Sequence, residues 1–103
     1  MKDTTKPAYF IIQSKIKNTE DFMNRYGQYV FPIIGKYEGQ MIAGSPTPKV
    51  LEGNWEGNWA AILRFPSLSQ AEAFYNSPEY QPLRELRMSE LTDGDTILLF
   101  EGN

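Results

Sequence analysis

One hundred and three residues, 41 % apolar and 22 % charged, suffice for one compact domain with its own core and are too few for two. With no cysteine and no histidine, disulfides, thiolate nucleophiles, Ser-His-Asp and Cys-His catalysis, imidazole-built zinc sites and proximal-His haem are excluded. A net charge of −3 argues against a broad nucleic-acid-binding surface.

The chain opens Met1-Lys2-Asp3-Thr4-Thr5-Lys6-Pro7, with no apolar stretch before the proline. The apolar run 8–12 is too short for a signal peptide or for the ~20 residues that span a bilayer, so a cytoplasmic protein without membrane association is expected. Aromatic and β-branched residues over 9–16 predict the first strand. Asn18 or Thr19 can cap a helix whose first turn holds Glu20 and Asp21. Phe22, Tyr26, Tyr29, Val30, Ile33, Ile34 and Tyr37 follow helical spacing, with Gly39 as the stop and Pro32 as an internal kink. A second strand is predicted over 41–43 and 49–51, interrupted by Gly44, Pro46 and Pro48 and so placed at an edge or bulge. Glu52-Gly53-Asn54-Trp55, repeated at once as Glu56-Gly57-Asn58-Trp59, reads as a turn leading to a third strand over 59–65. Ser67 with Gln70 forms a capping box for a helix to Asn76. Ser77-Pro78 starts a further helix, with proline at its first position, running to Leu91. Asp93-Gly94 turns the chain into a last strand over 96–100.

The order is β-α-β-β-α-β, an α+β ferredoxin-like pattern with a four-stranded antiparallel sheet. Two helices can cover one face of the sheet, and the other should be polar in a monomer. Yet Ile97 and Leu99 oppose Leu98 and Phe100, Ala61, Leu63 and Phe65 oppose Ala60 and Ile62, and Tyr9 and Ile11 oppose Phe10 and Ile12. A sheet apolar on both faces needs a second cover, and the same sheet from another copy supplies it: a homodimer is expected.

These elements carry a resemblance. Tyr9; Pro32 with Lys36-Tyr37-Glu38-Gly39; Leu51-Glu52-Gly53 with Trp55; Phe65-Pro66-Ser67; and Phe74-Tyr75-Asn76-Ser77-Pro78-Glu79-Tyr80-Gln81 with Arg87 run in order through nearly the whole chain. In this they resemble the family known as domain of unknown function 1330, of the dimeric α/β-barrel superfamily. The resemblance implies a single ferredoxin-like domain over 1–103 that dimerises. The superfamily also holds cofactor-independent monooxygenases, haem-degrading enzymes and small isomerases, whose reaction residues find no matching motif here. The chain departs from the family at Glu38, where the first of two glycines is usual, and at Trp59, where arginine often stands.

For chemistry, Tyr80, Arg84, Arg87 and Leu91 fall at steps of four, three and four on one helical stripe. Tyr80 and Arg87, with Trp59 from the sheet and Tyr29 or Tyr37 from the first helix, are the expected lining of a helix–sheet cleft, with Arg84 beside them. A guanidinium fork and aromatic walls suit a small organic anion with a flat apolar body. The structural alternative has Arg87 paired with Glu90 or a helix end, and the aromatics as core and interface. Arg64 reaches a pocket or pairs with Glu101. No metal-ligand spacing or phosphate loop occurs, so no metal or cofactor is expected. The expectation is a small-molecule enzyme or binder; the alternative is a non-catalytic dimeric module binding a metabolite or a protein.

Overall fold

The computed structural model describes residues 5–102. Met1 to Thr4 and Asn103, which the sequence reading counts in the single domain, lie outside the described residues. The strands are β1 (Ala8–Ile16), β2 (Gln40–Ser45), β3 (Trp59–Phe65) and β4 (Thr92–Glu101). They form one antiparallel sheet in the order β2-β3-β1-β4. The helical segments are α1 (Thr19–Phe22), α2 (Gln28–Lys36), α3 (Leu68–Tyr75) and α4 (Gln81–Leu86). Five-residue π-helical stretches, Met23–Gly27 and Arg87–Leu91, join α1 to α2 and α4 to β4. This is the ferredoxin-like arrangement the element order predicts. Among the described residues no helix is long and apolar enough to cross a membrane.

Local chemistry accounts for the boundaries. Asn18 caps α1, its side-chain oxygen accepting from the Asp21 N–H at 2.8 Å. Ser67 caps α3 by accepting from Gln70 N–H at 3.1 Å. The box is one-sided, because the Gln70 amide donates instead to the Tyr37 carbonyl and the Glu38 carboxylate. The helix ending at Lys36 closes in a Schellman motif: Gly39 N–H reaches the Ile34 carbonyl and Glu38 N–H the Gly35 carbonyl. Its left-handed residue is Glu38, at φ 66°, not Gly39. Gly39 is needed for another reason: a Cβ there would stand 2.4 Å from the Phe65 ring.

Four expectations change. Residues 49–51 form no strand; they lie in the loop 46–58, with Leu51 fully exposed, because the prolines at 46 and 48 withhold the N–H groups a ladder needs. Pro78 does not open a helix. It lies in a turn, 78–80, on which Ser77 Oγ accepts from Tyr80 N–H and donates to the Phe74 carbonyl, and α4 follows at Gln81. Asp93-Gly94 does not turn the chain either. The π stretch leads directly into β4, and Gly94 at φ 127° sits inside that strand, beside the bulge where the β1 register shifts between Ser14 and Ile16. Arg64 cannot neighbour Glu101, because β1 separates β3 from β4; it sits opposite Tyr9.

The helices cover the face that carries Ala8, Phe10, Leu63 and Phe65, which pack with Tyr26, Val30, Ile34, Phe74, Tyr80 and Leu91. Phe65 stacks on Phe74, and Tyr80 packs tilted against Phe74, with centroids 5.4 and 4.7 Å apart. Each such side chain contributes roughly 1.5–3 kcal/mol by leaving water. The other face carries a row of Ile11 between Ile62 and Leu98, and a row of Tyr9 between Arg64 and Phe100. Leu98 and Phe100 stay about half exposed in the single chain.

Candidate functional site

Between α1–α2 and the sheet lies a cavity of about 170 Å³. Its walls come from Phe10, Ile12, Val30, Ile34, Leu63 and Trp59, and further apolar side chains. Polar groups gather at one part of it. Tyr26, Tyr80, Ser14 and Arg87 all line it, and all are buried.

Two hydroxyls meet there, Tyr26 Oη and Tyr80 Oη, 2.7 Å apart. Of their two protons one is spent between them, and the other is free to be donated elsewhere. Burial, with Tyr80 next to it, pushes the Tyr26 phenol well above its ordinary value, so it stays protonated. The Arg87 guanidinium lies 6.0 Å over the Tyr26 ring. Its Nη1 donates to Asp95 Oδ2 at 2.6 Å, and both side chains are at least nine-tenths buried. Thr92 Oγ1 adds a bond to the same carboxylate oxygen at 2.7 Å. Burial works against the Arg87 charge, but Tyr80, Tyr26 and the Asp95 carboxylate more than offset it and hold the guanidinium above its usual range. Arg87 Nε and Asp95 Oδ1 are buried with no protein partner. Tyr75, Arg87 and Ile97 also form a wall of a second, more open cavity of about 280 Å³, with Met88, Thr92, Gly94 and Asp95.

Of the residues expected at the cleft, Tyr80, Arg87 and Trp59 line it. Tyr29 points to solvent on α2. Tyr37 packs against Phe74 and donates to Glu79 Oε1 at 2.9 Å. Arg84 turns away, its Nε donating to Tyr75 Oη at 2.8 Å. The partner of Arg87 is Asp95, while Glu90 pairs with Arg25 instead. Tyr26, Ser14 and Asp95 are the residues the sequence reading left out of the site. Tyr26 carried a signal, its place on the helical stripe. Asp95 carried none, because only the β1–β4 register sets it opposite Ser14.

The model for the domain of unknown function DUF1330 matches residues 7–102. The chain belongs to the DUF1330 family. No curated protein matches it. Among solved structures, this DUF1330 chain is similar to a protein of unknown function from Rhodopseudomonas palustris, at 12 % identity and TM-score 0.80, over 98 % of this chain and 85 % of that one. A dimeric protein of unknown function with a ferredoxin-like fold from Bacteroides fragilis aligns at 13 % identity and TM-score 0.60, over 93 % and 96 %. A protein from Nitrosomonas europaea, described as a candidate antibiotic biosynthesis monooxygenase, aligns at 10 % identity and TM-score 0.56, over 99 % and 95 %. At these identities the likeness concerns the fold alone.

Proposed function

We propose that this DUF1330 protein is a homodimer that binds a small, flat, uncharged molecule in the cleft between helices and sheet. The cavity itself carries the reading: about 170 Å³ of apolar space with a buried hydroxyl pair at its wall. An apolar cavity of about 150 Å³ suffices to hold one benzene ring. The phenol pair supplies one hydrogen bond to a carbonyl or hydroxyl oxygen on the bound ring. The Arg87 charge is already matched by Asp95, which favours a neutral ligand over the organic anion expected from the sequence. A Tyr26 held protonated favours donation of a hydrogen bond over proton abstraction, and so binding over base catalysis. Dimerisation is supported by the half-exposed Leu98 and Phe100 beside Ile11 and Ile62, and by the dimeric Bacteroides neighbour.

Titration with toluene, followed through methyl NMR signals of Ile12, Val30 and Leu63, tests the cleft. Saturable shifts at these three are expected; unmoved signals at saturating toluene refute the reading. Sedimentation tests the assembly. A dimer is expected, and Leu98→Lys is expected to yield a folded monomer; a wild-type monomer at micromolar concentration refutes it.

A further inference from the structure

We propose that Ser14 is a second polar anchor of the cleft and that the ligand is a hydroxylated aromatic carbonyl compound, a reading that rests on ring binding there. The helix-facing row of β1 runs Ala8, Phe10, Ile12, Ser14 and Ile16. Serine alone breaks this apolar row, and it does so where the strand lines the cavity. Ser14 is 2 % exposed. Its backbone carbonyl accepts from Asn58 N–H, but its hydroxyl makes no hydrogen bond to any described residue. Arg87 Nε and Asp95 Oδ1 are also unpartnered, but they are sealed; Ser14 Oγ is not sealed, and the space it borders is the cavity. A buried hydroxyl without a partner weakens a fold, and alanine would pack in the same place without that cost. The hydroxyl therefore has its use in what enters the cleft.

The two anchors belong to opposite layers. Ser14 stands on the sheet, and the Tyr26–Tyr80 hydroxyl pair belongs to the cover above it. The pair has one proton left to donate. A carbonyl oxygen takes that proton and brings none of its own. Ser14 Oγ has both its proton and its lone pairs unused, and a ligand hydroxyl can give to it or take from it. Neither anchor is charged, so the compound that pairs both is neutral. The space suits a substituted ring: it exceeds the volume of about 150 Å³ that holds benzene and is bordered by the partly exposed Met23, Phe31 and Met41. A site that hydrogen-bonds a ligand hydroxyl discriminates against the analogue lacking it far more than apolar contact can.

The test uses acetophenone and its ortho-, meta- and para-hydroxy derivatives as probes of the wild-type protein by calorimetry, below neutral pH, where the phenols are uncharged. Toluene serves as the apolar control. The ortho isomer spends its hydroxyl on its own carbonyl and has none to offer Ser14. The meta or the para isomer is expected to bind about ten-fold or more tighter than acetophenone, and the ortho isomer no tighter. Ser14→Ala is expected to erase that gain and keep acetophenone affinity. It should also leave the urea midpoint of the free protein unchanged or raised at equal protein concentration, which a hydroxyl that serves the fold would not allow. No gain for the meta or para isomer, an equal gain for the ortho isomer, a gain that survives Ser14→Ala, or a lowered midpoint each overturns the anchor, while toluene binding leaves the cleft standing. Failure of every probe, toluene included, overturns both.

Discussion

The Arg87–Asp95 pair gives the most quantitative prediction. At 2.6 Å, with both side chains at least nine-tenths buried, the gross attraction is about 6 kcal/mol at an effective dielectric of about 20. Desolvating each ion costs several kcal/mol in the opposite direction, so the pair as a whole contributes little net stability. Removing one partner is different, because it strands the other charge in the interior. Arg87→Met or Asp95→Leu alone should therefore cost about 3–5 kcal/mol. The double variant Arg87→Met/Asp95→Leu should recover most of that loss, coming within about 1 kcal/mol of wild type or exceeding it. Urea unfolding at one fixed protein concentration measures all four proteins, and the cycle yields the coupling energy directly. Fixed concentration matters because association adds to apparent stability. Two single variants that each lie within about 1 kcal/mol of wild type would refute the reasoning, since that is the behaviour of a solvent-screened surface pair.

Two further outcomes follow from local geometry. Glu38→Gly should raise stability by about 0.5–1 kcal/mol in the same urea assay, because a side chain at φ 66° carries a left-handed penalty that glycine avoids and loses only an exposed bond to Gln70; an unchanged or lower stability would show the strain to be absent. Ser77→Ala removes an acceptor for Tyr80 N–H and a donor to the Phe74 carbonyl, and should cost about 1 kcal/mol, lowering Tm by several degrees; a Tm unchanged within error would show that the turn is held by other contacts.

The regular parts of this fold are legible because burial imposes a period. Odd positions of β3 and even positions of β1 face the helices, as alternation requires, so strand faces and their doubly apolar character can be read directly. Asn18 and Ser67 identify themselves as caps by type and spacing. Glu38 stood out as a departure from the pattern the resemblance led one to expect, but its meaning needed the backbone: among the described residues it is the non-glycine residue with positive φ. Tyr80 and Arg87 shared a stripe that pointed inward, whereas Arg84 on the same stripe was drawn out by Tyr75. A hydroxyl nine residues away offers no periodic signal.

The polar wall of the cleft has a different origin from its apolar walls. In each π stretch the backbone bonds across five residues, Gln28 N–H to the Met23 carbonyl and Thr92 N–H to the Arg87 carbonyl. One extra residue in a turn sets back everything after it by about 100° relative to an α-helix. In the first helix this keeps Tyr26, Gly27, Val30 and Ile34 inside and puts Tyr29, which 3.6-residue spacing would bury, in solvent. In the last helix it buries both Arg87 and Leu91 and delivers the chain into β4 with no intervening turn. Asp95 stands opposite Ser14 as the last pair of the unbroken β1–β4 register, just before the bulge, and within reach of Arg87. Tyr26 and Arg87 thus lie in irregular turns, and Asp95 at the last regular pair beside a register shift. These features depend on how helix and sheet meet across the core rather than on residue type. An apolar cleft follows from periodicity alone, while its polar groups gather beside the places where that periodicity breaks.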